Sequence, residues 1–254
     1  MVLPSTREVA TRTSRMLLST ERWRSRLVLW AGSAAVGAAA VAFAQLADLA
    51  QHWQRQLLAL WHWSPWVLAP LGFALVSTLT RRYFRGAEGS GIPQTIFALE
   101  ADAGDAGART AASGLLRLHV AVGRMLLAAA GLLCGGSIGR EGPSVHVGAI
   151  LTRFLSRLMP NGGTPAQRHA LVLAGGAAGV AAAFNTPIAG IVFAIEELSH
   201  SFEERASGAT LTAVILAGVL SIALVGDYTY FGQPRVSVVP GAFAATTLSV
   251  AIAG

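Results

Sequence analysis

A charged pair, Arg140-Glu141, stands between two glycines and before a proline in the stretch Gly139-Arg140-Glu141-Gly142-Pro143. Apolar segments flank this stretch, and a charged side chain at membrane depth costs about 2.5–3.5 kcal/mol on insertion scales, so the pair indicates a functional site. Pro143 suits the first turn of a helix, where its missing N–H is no loss. Gly139 and Gly142 let backbone N–H groups approach a ligand. The stretch therefore predicts a helix N-terminus inside the membrane, which can hold an anion.

A second stretch of similar design, Gly89-Ser90-Gly91-Ile92-Pro93, lies upstream and also opens an apolar run. Ser90 adds a hydroxyl donor beside the N–H groups of the helix start. Serine at this place is also a common helix cap, and capping and anion binding use the same geometry, so both interpretations of Ser90 stay open. Paired half-helices that point at one place are how many membrane transporters hold small ions.

Composition identifies the environment in which these helix starts must be positioned. The chain has 254 residues, of which 53% are hydrophobic and 13% are charged, whereas soluble domains carry about 25% charged residues. The sequence therefore predicts a membrane protein. The net charge is +6 and every basic residue is arginine. Because the arginines fall mainly between apolar runs, membrane topology explains them better than a nucleic-acid partner does.

The charge pattern also predicts an orientation. Six arginines precede the first apolar run: Arg7, Arg12, Arg15, Arg22, Arg24 and Arg26. By the positive-inside rule the N-terminus is cytoplasmic, and Arg81, Arg82 and Arg85 return the chain to that side. The predicted hairpin between the two runs carries His52 and Arg55 and then Trp61, Trp63 and Trp66, which suit an interfacial aromatic belt. Residues 1–26 are predicted to form an amphipathic segment on the cytoplasmic membrane surface, and residues 27–254 the transmembrane domain.

Several apolar runs are too short to span a bilayer, which needs about 20 residues. The runs are 27–49, 57–80, 115–134, 143–159, 168–183, 187–198, 208–226 and 242–254. Short or glycine-interrupted segments are typical of the broken helices of transporters. Residues 101–112 are predicted to be a polar connection, and 160–165 a turn.

A third stretch, residues 175–190, is rich in glycine and alanine and runs on to Glu196-Glu197. Together with the stretches at 89–93 and 139–143, it resembles the CLC family of voltage-gated chloride channels and H+/Cl− exchangers over roughly residues 27–254. The resemblance implies an all-α polytopic membrane protein with the broken-helix CLC fold. That fold has two inverted repeats, and the chain corresponds to the first repeat, its N-terminal half, plus about one helix.

The resemblance also assigns roles to residues. Glu141 corresponds to the external gating glutamate, and the alternative is a buried ion pair with Arg140. Ser90 corresponds to the central serine of the chloride site, and Glu197 to the internal proton-relay glutamate of the exchangers. For Glu197 the alternative is a solvated carboxylate at a helix end. The backbone anion-binding positions are Gly89, Gly91, Ile92, Gly139, Arg140 and Gly142.

The function implied is chloride transport with proton antiport in a bacterial inner membrane, by a homodimer embedded in the lipid bilayer. No metal or organic cofactor is implied, and no enzymatic activity. A passive channel is the alternative, and so is a non-transporting truncated fragment, because the third anion signature of the family, Gly-x-Phe-x-Pro, is absent. The stretch 241–245 is a partial match that has Ala245 in place of the proline. Arg124, inside an apolar run, is expected to partner an acid or backbone carbonyls.

Overall fold

A computed structural model describes residues 20–101, 106–159, 162–198 and 208–226. These ranges are helical and contain no strand, as the sequence predicts. The α-helices are α1 Thr20–Leu60, α2 Ser64–Tyr83, α3 Ile92–Ala101, α4 Ala106–Leu115, α5 Leu118–Leu133, α6 Glu141–Leu155, α7 Pro165–Phe184, α8 Pro187–Phe193 and α9 Gly208–Val225. A 3₁₀ turn, Ser156–Leu158, follows α6, and a π-helical turn, Ala194–Leu198, follows α8.

Helix α7 lies at the centre of the packing. Its residues 171–183 are all buried, because α1, α3, α6, α8 and α9 all contact it. A Cβ added to Gly179 would meet the Ser144 carbonyl oxygen of α6, and a Cβ added to Gly148 of α6 would meet the Gly175 carbonyl oxygen. The backbones of α6 and α7 therefore touch, which only small residues permit.

The start and end of α7 follow local chemistry. The Gln167 backbone N–H donates to Thr164 Oγ1 at 3.2 Å, and the Thr164 N–H donates to Gln167 Oε1 at 2.8 Å, so the helix begins with a capping box. It ends at Asn185, which has a left-handed φ of 56°. Asparagine tolerates this conformation better than most residues.

Among the described helices, α1 is long and apolar enough to cross a membrane by itself, between Trp23 and Leu60. Helices α4 and α5 together would make a second span, bent by 46°. The remaining apolar runs form shorter helices. This agrees with the broken helices that the sequence predicts.

The structure corrects two predicted connections. The predicted hairpin is wrong at His52 and Arg55, because α1 continues to Leu60, and the chain turns only at residues 61–63, which include Trp61 and Trp63 of that prediction. No glycine or proline interrupts this part of α1, and His52 hydrogen bonds Gln56 one turn on, at 2.9 Å. The polar connection predicted at 101–112 contains α4, since alanines there favour a helix despite the charged neighbours.

Two predicted segments are largely outside the described residues. Of the surface segment 1–26, the structure describes only residues 20–26, which form the first turns of α1. The partial signature at 241–245 also lies outside the described residues. Both therefore stay predictions.

The contact between α6 and α7 leads to a test of stability. We expect Gly179→Ala to lower the midpoint of thermal unfolding in detergent, because the added Cβ overlaps the Ser144 carbonyl and overpacking costs about 1–3 kcal/mol. Gly114→Ala in α4 is the matched control, since a Cβ built there has nothing within 4 Å. The same midpoint for both variants would contradict the contact.

Candidate anion-binding site

The loop between α2 and α3 turns at three glycines with left-handed backbone. The φ angles are 98° at Gly86, 65° at Gly89 and 102° at Gly91, values that glycine adopts without strain. At Gly91 space is also short, because an added Cβ would lie 2.8 Å from His146 Cβ and 2.9 Å from the Gly142 carbonyl oxygen. The loop thus needs glycine both to turn and to approach α6.

Arg124 of α5 fastens this loop. Its guanidinium donates to the carbonyl oxygens of Gly89 at 2.9 Å, Gly86 at 3.0 Å and Glu88 at 3.1 Å. Arg124 is only 2% exposed, and a buried charge needs such partners to be stable. The planar guanidinium spreads its donors over a rigid fork, whereas the three donors of a lysine all sit on one nitrogen. Of the two kinds of partner predicted for Arg124, backbone carbonyls are confirmed.

Side chains of α3 hold the loop from its other end. Thr95 Oγ1 donates to the Gly91 carbonyl oxygen at 2.9 Å, and Gln94 Nε2 donates to the Glu88 carbonyl oxygen at 2.5 Å. The Glu88 carboxylate in turn accepts the Gly86 N–H at 2.6 Å. These bonds fix the direction in which α3 starts.

Ser90 is exposed at the start of α3. Its Oγ accepts a hydrogen bond from the Ile92 N–H at 3.4 Å, which is long for such a bond. Ser90 therefore caps α3 weakly, and because Oγ is the acceptor, its hydroxyl proton remains available to donate to an anion.

The two signature stretches meet backbone to backbone. A Cβ added to Gly142 would collide with the Ser90 carbonyl oxygen and would lie 3.0 Å from Ser90 Cβ. Since Gly142 is the second residue of α6 and Ser90 lies two residues before the first residue of α3, the N-termini of α3 and α6 lie together. The first N–H groups of a helix have no intrahelical acceptor and carry partial positive charge.

Glu141 is the first residue of α6, and Arg140 is its N-cap. The Glu141 carboxylate folds back over Gly139, where an added Cβ would meet Glu141 Oε2. Gly139 must therefore be a glycine for this side-chain position to exist. The carboxylate stands at the positive end of its own helix, which is the place that also attracts a free anion.

Asp48 is a residue at this site that the sequence did not predict. The Arg140 guanidinium forms an ion pair with the Asp48 carboxylate of α1, and the side chains are 16% and 65% exposed, respectively. The pair joins the N-terminus of α6 to α1. An acid inside the first apolar run was the available signal, because ionisable residues in such runs have partners or functions.

The glutamate pair lies on another part of the fold. Glu196 and Glu197 are exposed in the π-helical turn after α8. Leu198, the last residue of that turn, is buried against Gly176 of α7, where an added Cβ would lie 2.9 Å from Leu198 Cδ1 and 3.7 Å from Thr95 Cγ2. The turn is thus anchored where α3 also reaches α7. In the described ranges no hydrogen bond links Glu197 to Ser90 or Glu141.

A cavity of about 350 Å³ borders the loops on the side of α2. Gly89, Arg124 and Pro143 line it, whereas Ser90 and Glu141 do not. The cavity is therefore separate from Ser90 and Glu141. The candidate site is the place where the N-termini of α3 and α6 meet.

The role of Arg124 can be tested through stability. We expect Arg124→Gln to lower the midpoint of thermal unfolding strongly, because hydrogen bonds to a charged group contribute about 1.5–3 kcal/mol each and three carbonyls lose theirs. Arg157→Gln is the control, since Arg157 is exposed and stacks only on the Phe154 ring, 5.3 Å away. An equal fall of the unfolding midpoint in the two variants would contradict the role of the three Arg124 hydrogen bonds.

Comparison with known proteins identifies the fold and the family. In the fold, the chain is similar to a slow cyanobacterial Cl−/H+ antiporter solved by X-ray crystallography, with a TM-score of 0.65 and 20% sequence identity. The similarity covers 85% of this chain and 50% of the antiporter chain, so this chain spans about half the length of that protein. The family model for voltage-gated chloride channels matches residues 72–254. The chain therefore belongs to the voltage-gated chloride channel family, a family of membrane proteins.

Proposed function

We propose that this chain forms the first half of the chloride pathway of an H+/Cl− exchanger. The observation that carries the proposal is the contact between Gly142 and Ser90, which brings two helix N-termini to one place. An anion there would meet backbone N–H groups from α3 and α6 and the positive ends of both helices. The antiporter that shares the fold exchanges the same two ions, which supports this choice.

Hydrogen-bond donors of the side chain and the backbone hold chloride in this site. Ser90 supplies its hydroxyl proton, and Gly89, Gly91 and Ile92 supply the backbone around it. Gly139, Arg140 and Gly142 form the corresponding frame at α6. The fold already fixes these hydrogen-bond donors, so binding a chloride ion that has lost its hydration shell costs no rearrangement of the protein.

Glu141 acts as the gate. When ionised, its carboxylate occupies the positive end of α6 and excludes chloride by charge and by volume. When the carboxylate takes up a proton, it becomes neutral, leaves the helix end, and chloride replaces it. Its position over Gly139 supports this role, since the side chain already lies beside the first N–H groups of α6.

Glu197 delivers protons from the cytoplasm. It is exposed, so it can exchange protons with water, and its turn is anchored on α7 beside α3. Each proton that Glu197 passes to Glu141 opens the site for chloride. The passive channel is the alternative in which this delivery does not occur.

The protein works as an ion carrier in a bacterial inner membrane, with a cytoplasmic N-terminus, rather than as an enzyme. Exposed apolar side chains suit a lipid bilayer or a second copy of the chain. They include Ile188 on α8, 74% exposed, and Val219 on α9, 56% exposed. A homodimer formed through α8 and α9 would cover them.

The glutamate variants test the proposal, using protein expressed from the complete gene in vesicles. In Glu141→Gln we expect chloride flux to persist while proton coupling disappears, because glutamine keeps the size of the side chain but cannot release a proton. In Glu197→Gln we expect coupling to fall while the response of chloride flux to external pH persists. Paired chloride and pH electrodes on the same vesicles measure both ions.

Glu196→Gln is the matched control, since Glu196 is exposed in the same turn. It should keep normal coupling. Full coupling in Glu197→Gln would make Glu197 a solvated helix-end carboxylate. Chloride flux without proton movement in the unchanged protein would favour the passive channel.

A further inference from the structure

A second pocket, of about 460 Å³, lies between the end of α2 and the junction of α4 with α5. Three arginines and a histidine line it: Arg82, Arg85, Arg117 and His119. We call it the basic pocket. Gly114 also lines the pocket, and the space beside it is open, because a Cβ built there would have no atom within 4 Å. The pocket can therefore admit a group of several atoms.

Among the described residues that line the basic pocket, the charged side chains are all basic. No carboxylate lines the pocket, and within the part of the chain that the structure describes, its three guanidiniums form no ion pair. Arg85 Nε donates to the Arg81 carbonyl oxygen at 3.2 Å, and the Arg82 guanidinium lies 5.8 Å from the Tyr83 ring centroid. Neither contact neutralises charge. Several like charges so arranged favour a bound anion.

An apolar stripe begins at the same place. Leu118, Val122 and Leu126 lie four residues apart on α5 and are 36%, 55% and 51% exposed. Residues at this spacing share one face of a helix. The stripe starts next to Arg117, so a charged pocket and an apolar surface are continuous. A phospholipid has this combination of a phosphate and acyl chains, whereas a free phosphate has only the first.

The position in the membrane fits as well. The arginines at the end of α2 are predicted to lie on the cytoplasmic side, where anionic lipids attract clusters of arginine and lysine. Tyr83 at the pocket is 60% exposed, and exposed tyrosines are enriched at the level of lipid headgroups.

We propose that the basic pocket binds the phosphate of an anionic phospholipid, whose acyl chain lies along Leu118, Val122 and Leu126. The guanidiniums hold the phosphate by charge-assisted hydrogen bonds. The site is separate from the paired N-termini at Ser90 and Glu141, and it does not depend on ion transport.

The test uses the purified chain in neutral detergent and native mass spectrometry. The chain is titrated with phosphatidylglycerol, with phosphatidylcholine of the same acyl chains, and with glycerol phosphate. We expect phosphatidylglycerol to bind most tightly, and Arg82→Gln or Arg117→Gln to weaken it about fivefold each, as expected for one surface arginine. Arg82→Lys, which keeps the charge, should retain binding.

Arg157→Gln is the matched control, because it removes an exposed arginine that does not line the pocket, and it should leave phosphatidylglycerol binding unchanged. Equal affinity for the two lipids would overturn the proposal. An equal loss of binding in Arg157→Gln and Arg82→Gln would overturn it too, since the attraction would then be a general effect of charge. Binding of glycerol phosphate as tight as that of phosphatidylglycerol would exclude the acyl chain from the site.

Discussion

The close contact between the Ser90 and Gly142 backbones is the constraint on which the rest of the structure depends. Two helices with apolar bodies can point their N-termini at one place only if the loops before them have no side chains in the way. Gly142 meets this requirement at α6, and Gly91, beside Ser90, meets it at α3. The aligned backbone dipoles repel each other there, so an anion or the Glu141 carboxylate stabilises the arrangement.

Other parts of the fold hold the contact in place. Arg124 fixes the loop before α3 by three hydrogen bonds, and the Arg140–Asp48 pair ties the start of α6 to α1. The small residues of α7 let α6 approach until the backbones touch. Within a lipid bilayer no water is present to hydrogen bond backbone groups. Contacts within the protein, such as those of Arg124, take that role.

The sequence predicted structure well at positions where the residue type has few possible structural roles. Glycines before a proline predicted both helix starts, and Arg124, a charged residue inside an apolar run, predicted a buried partner, because few other roles fit those residues. It was uninformative where the answer depends on long-range contacts. Asp48 lies 92 residues from Arg140, and no local pattern indicates that they pair. Polar residues such as His52 suggested a turn, but they continue α1 since nothing there breaks the helix.

Anomalous scattering from bromide would test the central claim most directly. Bromide replaces chloride at many sites and can be located in crystals of the protein expressed from the complete gene. With Glu141→Gln opening the helix end, we expect a bromide peak beside the Ser90 hydroxyl group and the first N–H groups of α6. A peak only in the cavity behind the loops, beside Arg124, or no peak near Ser90, would contradict it.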